Sequence, residues 1–419
     1  MAPKCIAEDA ALVDRLVLGM LLIHREMRAT RHSSGPIAPL LAFLLLAVCV
    51  ETVTPATHKN KYLVYVGTYT EQGSKSKGVY VYRFDPDTTE LTSVGLAAES
   101  TNPSFLAVHP NHRFLYAVNE VGDYKGQKTG AISAFAIDRA TGKLTLLNEV
   151  VSRGADPCYI TVDKSGKYVL VANYTGGSVA IFRVLEDGRL GEASAFVQHT
   201  GHGMDPERQD GPHAHSIDLS PDNRFAIVDD LGLDVSLIYR FDSAQGSLTP
   251  NDRKFAKSDP GAGPRHFALH PNGQFAYVIN EMQSTVSVFG YDGAGGVLHP
   301  LQTISTLPKG FAGHKEAAEI QVHPSGKFLY ASNRGHNSIA VFAINANKGT
   351  LTPIEYVPTK GKSPRSFEID PAGSLLFAAN EKSDNIVVFR IDPQTGRLTP
   401  TGQVLEVAEP VCVKFVALE

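Results

Sequence analysis

From Tyr62 onward, four short apolar runs separated by turns recur about every 50 residues, and a period of that size restricts a chain to repeat architectures. Residues 103–149 read PSFLAVHPNHRFLYAVNE and then GAISAFAIDRATGKLTLLNE. Residues 317–356 (AAEIQVHPSGKFLYASNR, then NSIAVFAINANKGTLTPIEY) and 364–404 (PRSFEIDPAGSLLFAANE, then DNIVVFRIDPQTGRLTPTGQV) repeat the order. The first run ends in a turn such as His323-Pro324-Ser325-Gly326. The second ends in Asn-Glu or a variant: Asn119-Glu120, Asn280-Glu281, Asn333-Arg334, Asn380-Glu381. The third carries Val-x-Phe, and the fourth follows Gly-x-Leu-Thr, as at Gly396-Arg397-Leu398-Thr399. Runs this short, rich in Val, Ile, Phe and Tyr, are strands. The 37 Gly and 25 Pro fall between them as punctuation.

Four antiparallel strands in a unit of this length make one propeller blade. One blade cannot bury both of its faces, whereas a ring of blades does so and leaves only short edges. Complete units begin near Pro103, Pro157, His213, Pro264, Ala317 and Pro364. Tyr62 to Ala98 supplies the last three runs of another unit, and Val411 to Val416 (VCVKFV) supplies its first. The expected fold is all-β: a seven-bladed β-propeller over residues 61–419, with four antiparallel strands per blade. The N- and C-terminal strands share one blade and close the ring.

Residues 1–60 belong to a different pattern. Arg25, Arg28 and Arg31 precede the apolar run Ile37–Val50, and Ala56 follows as a small residue before a cut. Positive, apolar, then small is the order of a secretory signal peptide, and the run is short for a bilayer span. The expectation is export, with Met27 as the true start. The other reading is a cytoplasmic protein whose first 60 residues are a mis-assigned start or a disordered extension. Cys5, Cys49, Cys158 and Cys412 form no CxxC pair, which argues against a zinc site or a thioredoxin-like motif. Cys158 and Cys412 read as small buried apolar residues. A net charge of −4 gives no basic field for nucleic acid.

In a propeller the first strand of each blade lines the central channel, so side chains at its start converge from different blades. Aligning the first runs on their turns places Ser104, Cys158, His215, Arg265, Ala318 and Arg365 at one position. Phe105, Tyr159, Ser216, His266, Glu319 and Ser366 take the next. His215, Arg265, Glu319 and Arg365 therefore gather at the channel mouth, with His266 and His213 beside them. Arginine grips phosphate or carboxylate bidentately, and a His or Glu beside other charges is a usual general acid/base. Alternation along a strand sends adjacent residues to opposite faces, so His266 and Glu319 need a bulge to join the row of His215 and the arginines. The competing reading is a set of buried ion pairs between blades.

The loop Gln198–Gly211 (QHTGHGMDPERQDG) is the longest insertion, and long loops at a mouth often shape a site. Its His199 and His202, with His213 and His215, lack the fixed spacing of a metal site. The Asn-Glu pairs read as turn caps, with Glu120 and Glu281 as the two that could reach the mouth. There is no G-x-S-x-G, G-x-G-x-x-G or P-loop, which disfavours a serine hydrolase and a nucleotide enzyme.

Val66-Gly67-Thr68-Tyr69-Thr70, His215-Ser216, Gly263-Pro264-Arg265-His266, Ala318-Glu319-Ile320 and Pro364-Arg365 resemble the seven-bladed propeller lactonases of the bacterial 6-phosphogluconolactonase type. The fungal carboxy-muconate lactonising enzymes are similar in the same places. The resemblance spans nearly all of Tyr62 to Val416. It implies hydrolysis of a sugar δ-lactone with no cofactor and no metal. It also implies a site of His215, Arg265, Arg365 and Glu319. His215 or Glu319 is then the base, Arg265 stabilises the oxyanion, and Arg365 holds the substrate's phosphate or carboxylate, the two arginines being interchangeable. His266 and His213 are the further substrate contacts. The expected partner is a small, anionic lactone, with neither nucleic acid nor stable membrane embedding of the mature domain. The alternatives are an unphosphorylated lactone, a muconate cycloisomerase-like reaction, and a non-catalytic binding propeller.

Overall fold

The structure is a computed structural model that describes residues 61–418; the signal-peptide reading of residues 1–60 lies outside them. The described residues form seven sheets of four antiparallel strands, with two single turns of 3-10 helix at Leu231–Leu233 and Glu381–Ser383. None of these is a helix long and apolar enough to cross a membrane. The innermost strands of blades one to six are Leu106–Val108, Pro157–Val162, Ala214–Leu219, Pro264–Leu269, Ala317–Val322 and Pro364–Ile369. Each contacts the innermost strand of the next, and the circle is completed by Pro410–Ala417 of the seventh blade. That strand pairs with Tyr62–Thr68 in the register Tyr62↔Ala417 to Val66↔Val413, so the two ends of the propeller share a sheet as expected.

Burial follows position in the blade. Every residue of the second strand is buried in blades one to six, for example Phe275–Asn280 and Leu375–Asn380. Both faces of this strand pack on neighbouring blades, which is why it reads as a continuous apolar run rather than an alternating one. The outermost strands alternate: Leu190–Gln198 has one half-buried face and one in water.

A recurrent polar tie joins the blades. The hydroxyls of Tyr65, Tyr116, Tyr277 and Tyr330 donate to the carbonyls of Gly142, Gly188, Gly349 and Gly396 in the next blade at 2.8–3.1 Å. Gly349 sits at φ 68°, and a Cβ there would collide with the Phe275 ring, so the Gly of the Gly-x-Leu-Thr turn serves both the turn and the close approach of blades.

Pairing between the first two strands slips at the start of most blades. The shift falls between Pro157 and Tyr159, Ala214 and Ser216, Pro264 and His266, and Pro364 and Ser366. In the fifth blade it runs from Ala317 to Ile320. The unpaired extra residues are Cys158, His215, Arg265 and Arg365, with Ala318 and Glu319 in blade five.

Candidate active site

These bulges are what carries the sequence row into the channel. A bulge inserts one residue without a ladder partner and re-aims its side chain. Strict alternation would separate Arg265 from His266. Instead Arg265 Nη1 lies 3.3 and 3.2 Å from the two ring nitrogens of His266. His266 Nδ1 is 3.1 Å from Glu319 Oε1, and the His215 and His266 rings meet edge to face at 5.2 Å. His215, Arg265, His266 and Glu319 thus form one contiguous group. Arg365, on the blade next to that of Glu319, stands 5.2 Å above the Tyr69 ring and 3.9 Å from Glu120 Oε1. His213 stays at the rim, stacked on Tyr174 at 4.6 Å.

The charge centre of the group is Glu281, which follows the second strand of blade four. Its Oε2 is 3.0 Å from Arg265 Nε, 2.8 Å from Arg334 Nη2 and 3.9 Å from His215 Nε2. Its Oε1 is 2.6 Å from Arg208 Nη2. Burial would raise this carboxyl, but Arg334, Arg265, His215 and Arg208 hold it well below the usual range. One carboxylate therefore faces three guanidinium groups, Arg265, Arg334 and Arg208.

The histidines respond in the opposite sense. Burial, then Arg265, lowers His266 to about 4. Burial, Arg265 and His266 push His215 well below its ordinary value. Both imidazoles are therefore neutral at pH 7, each with one ring nitrogen able to accept a hydrogen bond. Glu319 is pushed up by burial but held lower on balance, chiefly by His266, then Lys414 and Arg265. It also accepts the Ile320 N–H at 3.0 Å. Burial, Arg334 and Arg365 bring Arg265 down to about 10, so it stays charged near neutrality. Arg265 Nη1 also donates to the Ala318 carbonyl at 2.7 Å, which fixes the guanidinium plane.

The Asn-Glu pairs divide their work. Asn280 is the structural half: its Nδ2 donates to Thr285 and Ser287 hydroxyls at 2.9 and 3.0 Å. The following residue turns into the channel. That position holds Tyr69, Glu120, Tyr174, Glu281 and Arg334 in five of the blades. The expectation that the pairs are turn caps holds for the Asn and not for Glu281. Arg334 and Arg208 were not singled out from sequence. The signal for Arg334 was a cation in a slot otherwise filled mostly by Glu and Tyr. For Arg208 it was the long Gln198–Gly211 insertion.

The four histidines of the metal question separate. His199 Nδ1 bonds Asp230 at 2.6 Å, His213 Nδ1 faces the Tyr174 carbonyl at 3.1 Å, and His202 is turned to solvent. Among the described residues no three His, Cys, Asp or Glu side chains converge as a metal site would require. Cys158, in the bulge row, lies 3.7 Å from His215 Nδ1, and burial keeps its thiol protonated. A surface hollow of about 600 Å³ beside Val150, Arg153 and Glu192 holds none of these residues.

Residues 63–415 match the family described as lactonase, 7-bladed beta-propeller. A 6-phosphogluconolactonase of Bacillus subtilis is 39% identical over 308 residues, covering 73% of this chain and 84% of that protein. The crystal structure of a putative 6-phosphogluconolactonase from Bacteroides fragilis is 38% identical, with a TM-score of 0.79 over 86% of this chain and 99% of that one. A periplasmic gluconolactonase of Pseudomonas aeruginosa is 35% identical, with a TM-score of 0.80 over 86% and 100%. With the propeller, its closure and the bulge row in place, this chain belongs to the seven-bladed β-propeller lactonase family.

Proposed function

We propose that the protein hydrolyses an anionic sugar δ-lactone, with 6-phospho-D-glucono-1,5-lactone as the leading substrate. The observation that carries the reading is the convergence of three guanidinium groups on Glu281, set beside two neutral histidines. A lactone is an activated ester, so its opening needs an aligned water, a group to take that water's proton, and positive charge where the carbonyl oxygen becomes anionic. The B. subtilis relative is named for this activity.

In this mechanism neutral His215 accepts the proton of the attacking water. Glu281, 3.9 Å from its Nε2, stabilises the imidazolium that forms. Arg265 supplies charge to the oxyanion, its guanidinium held by Glu281 and the Ala318 carbonyl. Arg365 binds the lactone from its place over Tyr69. The alternative base, Glu319, is already engaged by His266 and the Ile320 amide, which favours a role in orienting His266. As the tetrahedral intermediate collapses, the ring C–O bond breaks and the proton passes from His215 to the leaving alkoxide. The reaction is written without a metal because guanidinium groups supply the positive charge.

A second reading is an exported enzyme acting on an unphosphorylated lactone. It rests on the P. aeruginosa neighbour, which is periplasmic and is named a gluconolactonase. Hydrolysis of 6-phosphoglucono-δ-lactone and glucono-δ-lactone, each corrected for spontaneous opening, separates the two. A higher kcat/KM on the phosphorylated lactone supports the first reading, and the reverse order supports the second. Turnover of cis,cis-muconate with neither lactone consumed overturns both.

A further inference from the structure

We infer that Arg208 is the specificity-determining residue that recognises the phosphate of the substrate, a deepening that rests on the lactonase reading above. Arg365 is paired with Glu120 and the face of Tyr69. Around Glu281 three guanidinium groups converge on one carboxylate. Arg265 is committed to the reacting carbonyl. Arg334 is buried, and its Nη2 is shared among Glu281, Glu316 at 3.4 Å and the Ala317 carbonyl at 3.2 Å. Arg208 is the remaining one, and its side chain is 41% exposed while the carboxylate it touches is 5% exposed. It thus joins solvent to the buried charge centre.

Its backbone is held in place, while its side chain is partly exposed. Gln209, buried beside it, donates to the Leu231 carbonyl and to Asp234 Oδ1 at 2.8 Å each. The Gln209 side-chain oxygen accepts the amides of Met204 and Asp205 at 3.0 and 3.1 Å. The Arg208 amide donates to Asp205 Oδ1 at 3.0 Å, and the buried His199–Asp230 pair anchors the loop's start. The insertion therefore presents one long cation over the mouth from a fixed base. Among the described residues the side chain reaches two partners, Glu281 and, at 3.2 Å, the Tyr174 hydroxyl. A dianionic phosphate offers stronger, bidentate acceptors than a carboxylate already shared with two other guanidiniums. Arg208 moves to the phosphate when substrate binds. Glu281 keeps Arg265 and Arg334, so the reaction centre is not disturbed.

The test compares wild type, Arg208→Gln and Arg208→Lys on phosphorylated and unphosphorylated glucono-δ-lactone, with inorganic phosphate as a competitive inhibitor. The expected result is at least a tenfold fall in the ratio of kcat/KM for the two lactones in Arg208→Gln. The fall comes through KM of the phosphorylated substrate and brings a matching loss of inhibition by phosphate. Arg208→Lys recovers part of both. Equal losses on the two lactones, through kcat, would show that Arg208 merely positions Glu281 and would overturn the inference. So would an unchanged ratio in a variant that melts like the wild type. A wild-type protein that opens neither lactone fails the underlying reading itself, whereas one that works on both with an unchanged ratio in Arg208→Gln fails this inference alone.

Discussion

Arg265 and His266 are consecutive residues of one strand, yet their side chains touch, with Arg265 Nη1 3.2 Å from His266 Nε2. A regular strand forbids this, because neighbours point to opposite faces. The register slip between Pro264 and His266 removes the prohibition by leaving Arg265 without a partner across the ladder. The same slip recurs at His215 and Arg365. The bulge is thus a scaffold feature that most blades reuse, with a different residue placed on it.

Replacing Arg265 tests the oxyanion role directly. Arg265→Ala should lower kcat by roughly 10²-fold or more, the usual loss when a transition-state donor is removed. Arg265→Lys should recover little, since an ammonium cannot bond Glu281, the Ala318 carbonyl and the substrate in one plane. Steady-state turnover of the Ala variant close to wild type would remove Arg265 from the chemistry.

The histidines set the pH dependence. A base must be unprotonated to act, and burial with Arg265 holds His215 below its ordinary range. The acid limb of kcat/KM should therefore lie below the ordinary imidazole value of about 6.5, with activity kept through neutrality. The same neutral imidazoles contribute stability that is present above the unfolded-state value and lost as pH falls. For His266 that loss is complete near pH 4. A profile of kcat/KM, corrected for spontaneous lactone opening, with an acid limb above pH 6.5 would argue against His215 as the base.

Glu281 holds the site's cations together, so its loss should cost stability as well as activity. Glu281→Gln leaves the buried Arg265 and Arg334 without their shared carboxylate. Breaking a buried pair by removing one partner costs about 3–5 kcal/mol. A clear drop in Tm is expected, partly recovered in the double variant Glu281→Gln/Arg334→Met, which also removes one uncompensated charge. Thermal unfolding of the three proteins measures this. A single variant as stable as wild type would mean the guanidiniums find other partners.

The architecture was legible because the same unit is written several times, and the ends completed a seventh. The row Cys158, His215, Arg265, Arg365 was legible for the same reason: aligning the turns recovers the bulge position without knowing that a bulge is there. Glu281 was harder. In sequence it follows Asn280 as Glu120 follows Asn119, and both look like turn punctuation. Asn280 does cap, through Thr285 and Ser287, while the next side chain enters the channel. No local pattern distinguishes these two roles, since the direction is set by ring closure. Arg208 reaches Glu281 across 73 residues of sequence, from an insertion that no other blade repeats.

Ring closure makes the last prediction. Pro410–Ala417 is the innermost strand of the seventh blade and pairs with Tyr62–Thr68. It also packs on the first strands of blades one and six. Val413 and Val416 are fully buried there, and Cys412 packs into the core shared with blades one and two. Lys414 bonds Glu368 of blade six at 2.8 Å. Ending the chain at Glu409 would remove all of this and leave the edge of Tyr62–Thr68 open, an unpaired strand that invites association. A chain truncated there should lose cooperative thermal unfolding or melt far below the full protein, and should aggregate on concentration. Substituting Lys414 by Met should be much milder, because it leaves the strand pairing intact. Calorimetry and light scattering on the two variants would decide. A truncated protein that scatters light like the full protein, with an unchanged melting transition, would show that the seventh blade is not what closes the ring.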